Sequence, residues 1–261
     1  MDHIDEVILL KKVKMEQLKK PLRNILDRIL IPSIKKAIQE DDMDIKRWRI
    51  RRAFWETALF VEQHMPSLQS SVDRFALIKD AISYIENING GGLICEFGVY
   101  KGESINYIAG LLPENVIVYG FDSFEGLPTN WGDNYPKGQF NLNKLPKVSR
   151  NVRLIEGWFD ETLCPFLKEH PGNTAFLHID GDLYLSAKTI FEEFESRIQP
   201  GTVIVFDEYF NYPGWQEGEH KAFMEFIEKT NFTFEYIGYC RYGFQVAVKI
   251  GERNNNAIDL D

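Results

Sequence analysis

From Leu93 to Asp207 the chain repeats one pattern: a short run of β-branched, aromatic or aliphatic residues followed by a segment with helical spacing. The runs are LICEF (93–97), VIVYGF (116–121), VRLIEG (152–157), AFLHID (175–180) and VIVFD (203–207). Short apolar strands alternating with helices imply βαβ units, whose parallel strands must be covered on both faces. Next come FTFEYIGYC (232–240), a tight RYG, and FQVAVKI (244–250). They are too close for a crossover helix, so they form an antiparallel hairpin on an otherwise parallel sheet. An α/β fold with a mostly parallel sheet and an antiparallel C-terminal strand is the expectation.

The N-terminal third reads differently. Leu22, Ile25, Leu26, Ile29 and Leu30 recur at spacings of three and four, Pro32 interrupts, and Ile34, Ala37 and Ile38 resume the stripe. Further helices are expected from about Lys46 to Gln63 and from Val72 to Ile88, the second with Phe75, Ile78, Ile82 and Ile85 on one face. The glycines of NINGGG (87–92) mark a linker. The expected organisation is a helical extension over residues 1–70 serving as a lid or in oligomerisation, one domain over 71–250, and a frayed tail over 251–261.

Composition narrows the partners. With 261 residues and 44% hydrophobic content the chain can build one large core. A net charge of -9 argues against nucleic acid as the main partner, and no (D/N)PP(Y/F) motif of DNA methyltransferases is present. KRWRIRR (46–52) packs five positive charges into seven residues; it reads as a solvated helix face or as a patch for an anionic substrate or lipid headgroup. Cys95, Cys164 and Cys240 are odd in number and widely spaced, so neither a disulfide framework nor a CxxC metal site is suggested. The opening MDHIDEVILLKKVK puts acids ahead of a short apolar run, the wrong order for a leader, and no run approaches 18 apolar residues. A cytoplasmic protein without a membrane span is expected, and the apolar N-terminal helices suggest a homo-oligomer.

In LICEFGVYKGESINYIAG (93–110), Glu96, Gly98 and Gly102 follow a strand and open a helix, where open α/β sheets bind ligands. The dinucleotide pattern GxGxxG is broken because Tyr100 stands at the middle glycine, which disfavours a pyrophosphate and an NAD-binding oxidoreductase. Glu96 would attract a cationic amino-acid moiety. Asp122, ending the next strand in GFDSFEG, can accept ribose hydroxyls, and the aromatic pair Trp158 and Phe159 in EGWFDETL can cover a purine. These features fit S-adenosylmethionine better than NAD.

The ordered motifs CEFGVYKGES, FDSFEGLP, GWFDETL, HIDGDLYLSAK and FDEY resemble the class I S-adenosylmethionine-dependent methyltransferases of the macrocin O-methyltransferase (TylF/MycF) type, over roughly residues 70–250. The resemblance implies a Rossmann-like, seven-stranded sheet and a Mg²⁺-dependent sugar O-methyltransferase acting on a natural-product deoxysugar or glycan. It implies cofactor contacts from Glu96, Gly98, Tyr100, Gly102, Ser104, Asp122, Ser123, Gly157, Trp158 and Asp180, and a metal held by Asp180, Asp207 and Glu208. The family usually shows two aspartates before the tyrosine of the last motif, whereas this chain has Asp207 and Glu208.

Independently of the resemblance, Asp180 and Asp207 end strands, with Asp182 and Glu208 beside them. Four such carboxylates at one sheet edge repel one another unless a cation or proton neutralises them, and a hard divalent ion is the economical answer. It would lower the pKa of an acceptor hydroxyl. Asp182 is the first candidate for the base and His220 the second, while His178, inside an apolar strand, reads as a core histidine. The long connection from Phe124 to Asn151 exceeds ordinary loop length and reads as a substrate-covering lid. A phenol or catechol acceptor is the alternative to a sugar.

Overall fold

The computed structural model describes residues 44–86, 91–132 and 135–254, together with Pro32, Ser33 and Lys36. The apolar stripe expected over residues 22–38 lies outside them. Two compact units are present, residues 1–52 and 53–261. Helix α1 (Ile45–His64) contains the basic stretch, in which Arg47 pairs with Asp44 at 3.5 Å and the Arg51 guanidinium lies over the Trp48 ring. The division between the two units falls after Arg52, within α1. The reason is packing: Ala53, Phe60, Val61 and Met65 join the core of the second unit, and the Thr57 hydroxyl accepts the Asn211 amide at 2.9 Å.

The second unit continues with β1 (Ser70–Ser71), α2 (Arg74–Ile82), β2 (Leu93–Phe97), α3 (Glu103–Leu111), β3 (Val118–Asp122), β4 (Val152–Glu156), α4 (Phe159–Glu169), β5 (Thr174–Ile179), α5 (Tyr184–Phe194), β6 (Val203–Phe206), α6 (Glu219–Thr230), β7 (Phe232–Cys240) and β8 (Val246–Arg253). The sheet order is β1-β7-β8-β6-β5-β2-β3-β4. β8 runs antiparallel to both neighbours, β6 and β7, and the other pairings are parallel. Among the described residues the sheet has eight strands against the expected seven, because the two-residue β1 pairs with the end of β7. β8 extends to Arg253, so the first three residues of the expected tail belong to the sheet. The expected helix over 72–88 is shorter, with Asp73 capping its start by accepting the Ala76 amide.

Both faces are covered, which explains why β2, β5 and β6 are apolar almost throughout. Leu163, Phe166, Ile190, Phe194, Phe223 and Phe226 of α4, α5 and α6 pack on one face with Cys95, Phe97 and Phe206; Leu77, Ile78, Ile105 and Ile108 of α2 and α3 pack on the other with Ile94, Phe176 and Val205. From the central β2 the chain builds outward to β3 and β4, then returns to place β5 and β6 on β2's other side. The carboxyl ends of β2 and β5 are therefore the switch point, where a crevice opens.

The turn after β2 closes tightly on β5. The Asp180 amide donates to the Phe97 carbonyl at 2.8 Å, the Gly98 amide to the Phe121 carbonyl at 2.9 Å, and Gly98 takes φ +91°. A Cβ at position 98 would stand 1.8 Å from the Asp180 carbonyl oxygen. Gly98→Ala is therefore expected to lower the free energy of urea unfolding by about 3 kcal/mol, combining left-handed strain with overpacking; a change under about 0.5 kcal/mol would contradict this geometry.

Candidate active site

Asp122, at the end of β3, holds the turn after β2. Its Oδ2 accepts the amides of Val99 and Tyr100, both at 2.8 Å, and its Oδ1 accepts that of Phe124 at 2.7 Å. Tyr100, standing where a dinucleotide site carries glycine, still takes the left-handed conformation (φ 45°). Asp122 thus pulls two backbone amides toward its carboxylate, and Oδ1 keeps acceptor capacity for a ligand hydroxyl.

Above this turn lies a cavity of about 370 Å³. It brings together Gly98, Tyr100, Asp122, Ser123, Gly157, Trp158, Asp180, Asp182, Asp207 and Glu208 of the expected site residues. Glu96, Gly102, Ser104 and His220 do not line it. Glu96, expected to meet the cofactor, is fully buried on the α2/α3 side of the sheet; its Oε1 accepts the Ser104 hydroxyl at 3.1 Å and its Oε2 accepts His178 Nδ1–H at 2.9 Å. Gly102 precedes α3 at φ +80°. His220, the second candidate base, sits in an aromatic box, its ring centre 5.6 Å from Phe60, 5.0 Å from Tyr209 and 4.9 Å from Trp215. Burial, with His64 nearby, lowers its pKa to about 4.

His178 is more than a core histidine. Parallel register sets it beside Glu96 on the same sheet face, and its Nε2 points at Asp207 Oδ1, 3.9 Å away and too far for a hydrogen bond. Burial opposes its charge, but Asp207 and Glu96 outweigh burial and raise its pKa to about 10. Burial likewise favours the neutral form of Asp207, yet His178 and Arg74 together hold that carboxyl below the usual range. A cation enclosed between two acids keeps Asp207 ionised at the cavity floor.

The remaining acids lack such a partner. Asp180 and Glu208 are pushed well above the carboxylate range by burial and then by Asp207, and Asp182 to about 7 by burial, Asp207 and Asp122. One ligand oxygen each from Asp180, Asp182 and Glu208 falls within a 4.8 Å cluster, and a second cluster joins Asp180, Asp207 and His178. Asp207 Oδ1 and Glu208 Oε2 are buried with no hydrogen-bond partner. Orphaned carboxylate oxygens converging at one rim form a donor set that fits a hard divalent cation. Asp182 adopts φ 60° and lines the cavity.

Three features escaped sequence reasoning. Glu219, fully buried at the start of α6, accepts the Glu208 amide on Oε2 at 3.0 Å and leaves Oε1 unpartnered. Arg74 and Gln245 reach the cavity from elements with no motif. The long connection read as a lid contributes aromatics to the site: Trp131 and Tyr135 stack at 4.9 Å, Phe140 lies 5.6 Å from Tyr135 and 5.4 Å from Tyr100, and all three line the cavity. Among the described residues no helix is long and apolar enough to cross a membrane.

Residues 95–209 match the family described as "Methyltransferase domain". An 8-demethyl-8-(2,3-dimethoxy-alpha-L-rhamnosyl)-tetracenomycin-C 4'-O-methyltransferase from Streptomyces olivaceus is 28% identical over 143 residues, 45% of this chain. The chain spans about half of that relative, 53%. A demethyldecarbamoylnovobiocin O-methyltransferase from Streptomyces niveus is 24% identical over 66% of this chain and 72% of its own. The fold is that of Rossmann-like methyltransferases: the O-methyltransferase NovP superposes with a TM-score of 0.53 (22% identity, 69% of this chain, 80% of that one). MycE, in complex with Mg, SAH and mycinamycin VI, superposes with a TM-score of 0.50 (14% identity, 94% of this chain, 66% of that one).

The Glu96–His178–Asp207 arrangement sets a pH dependence. The folded pKa of His178, about 10, exceeds the roughly 6.5 of an unfolded histidine, so its stabilisation is complete below that lower value and is lost as pH rises through 10. In metal-free protein the unfolding free energy of the wild type should fall relative to His178→Gln between about pH 7 and 10, by up to about 1.4 kcal/mol per unit. Parallel profiles for the two proteins would mean that His178 is neutral.

Proposed function

We propose that the methyltransferase domain formed around residues 95–209 transfers a methyl group from S-adenosylmethionine to a hydroxyl of a sugar-bearing small molecule. One observation carries the reading: a single cavity joins Gly98, Asp122 and Trp158 to the unneutralised acids Asp180, Asp182 and Glu208. The two curated relatives are O-methyltransferases, one named for a rhamnosyl substrate. In this reading Asp122 Oδ1 would accept a ribose hydroxyl, and Trp158 and Phe159 would cover the purine. The loop aromatics Trp131, Tyr135 and Phe140 offer flat apolar walls for a sugar face or an attached ring. The same walls favour the second reading, a phenol or catechol acceptor, and turnover with glycosides against simple catechols separates the two.

Asp180, Asp207 and Glu208 are the proposed Mg²⁺ ligands, because Asp180 belongs to both acid clusters and the other two carry the orphaned oxygens. Bound there, the ion would supply Lewis acidity to the acceptor hydroxyl. Asp182 takes the acceptor's proton: it lines the cavity next to the proposed metal ligands Asp180 and Glu208, beside the acceptor hydroxyl. His178 and Glu96 hold Asp207 charged, and Glu219 fixes the backbone of Glu208. Much of the remaining catalysis is positioning of acceptor oxygen, methyl group and sulfur in line.

Two outcomes follow. Excess chelator should abolish methyl transfer while S-adenosylmethionine remains bound, and Mg²⁺ or Mn²⁺ should restore the rate; full transfer by demonstrably metal-free enzyme would exclude the ion. Asp182→Asn should lower kcat by at least about 100-fold with the cofactor Kd unchanged in calorimetry. An unaltered kcat would remove Asp182 from proton transfer.

A further inference from the structure

Arg74 is the only basic side chain among the described residues that line the cavity, where Asp122, Asp180, Asp182, Asp207 and Glu208 supply five carboxylates. It opens α2 directly after the capping Asp73, so its backbone is fixed while its side chain, one third exposed, reaches over the strand ends. Nη2 lies 3.7 Å from Glu103 Oε2 and Nη1 4.0 Å from Asp207 Oδ2. Both separations exceed hydrogen-bond range, so the guanidinium fork feels both charges without being clamped by either.

We propose that Arg74 binds the carboxylate of the amino-acid tail of S-adenosylmethionine. The inference rests on the methyl donor proposed above and concerns how that donor is recognised. A zwitterionic tail brings a carboxylate into a cavity dominated by carboxylates, where it is repelled unless a cation shields it. A planar guanidinium matches a carboxylate with two parallel N–H···O bonds.

Position selects the tail over the acceptor. The adenosine contacts, Asp122, Gly157 and Trp158, lie at the ends of β3 and β4. Arg74 lies beside Asp207 at the end of β6, across Gly98 and β5 in the sheet order. A cofactor spanning Gly98 therefore has its adenosine on one side and its tail on the other. Arg74 also enters from α2, on the sheet face shared with α3, whereas Asp182 precedes α5 and Glu208 is tied to α6, which pack on the opposite face. The acceptor side, under Trp131, Tyr135 and Phe140, carries no basic group among the described lining residues.

The test compares S-adenosylmethionine with its decarboxylated form, which lacks only the carboxylate, by calorimetry on the full-length protein. Wild type should prefer the intact ligand. Arg74→Met should weaken the intact ligand on the order of 10- to 100-fold, as expected for hydrogen bonds to a charged group, and leave the Kd of the decarboxylated form unchanged. Arg74→Lys, keeping a point charge without the fork, should fall between. Unchanged decarboxylated-ligand binding also reports that the variant is folded. Equal weakening of both ligands in both variants, or no weakening of either, would overturn the Arg74 assignment. Failure of the wild type to bind either ligand would instead overturn the donor on which the inference rests.

Discussion

Mutual repulsion among buried carboxylates is the constraint around which this molecule is arranged. Asp180, Asp182, Asp207 and Glu208 meet at the ends of β5 and β6, with Glu96 and Glu219 fully buried behind them. An isolated carboxylate in such surroundings protonates, because burial disfavours its charged form. Asp207 escapes by facing His178, itself held cationic between Asp207 and Glu96. Asp180, Asp182 and Glu208 have no comparable partner, and oxygens of Asp180 and Glu208 join those of the charged Asp207 in a donor set that a hard divalent ion fits.

Sheet topology creates this crowding. Parallel pairing puts Glu96, His178 and Val205 in one row across β2, β5 and β6, so residues just beyond the strands emerge together at the switch point. Two backbone bonds tie the ends: the Asp180 amide donates to the Phe97 carbonyl and the Asp207 amide to the Ile179 carbonyl. Asp122 then joins the adjacent strand to the turn through three amides. The site is therefore held by strand ends, while the part that meets the acceptor comes from the long aromatic loop. A rigid chemical floor under a variable cover is how open α/β folds accommodate different ligands.

Much of this was legible in the chain. β2 coincides with LICEF, buried on both faces and preceded by glycines, and β7 with FTFEYIGYC, an aromatic-rich run with polar residues interleaved that ends at a tight turn. The strand-end acids could be read for the same reason. Side-chain direction could not. Glu96 sits in the expected motif, but the pleat turns it toward His178 on the α2/α3 face, away from the cavity. His220 follows the fifth acidic motif closely in sequence, yet aromatic packing against Phe60 and Trp215 removes it. Arg74 and Glu219 lie in helical turns without any motif, and only tertiary packing brings them to the acids.

The central claim is that the strand-end acids form a cation site beside a bound adenosyl cofactor. Anomalous diffraction at the manganese edge, from crystals grown with Mn²⁺ and S-adenosylhomocysteine, tests it most directly. One anomalous peak should lie within about 2.0–2.4 Å of oxygens from Asp180, Asp207 and Glu208, with the sulfur of the cofactor over Gly98. A bound cofactor with no peak at those acids would contradict the account.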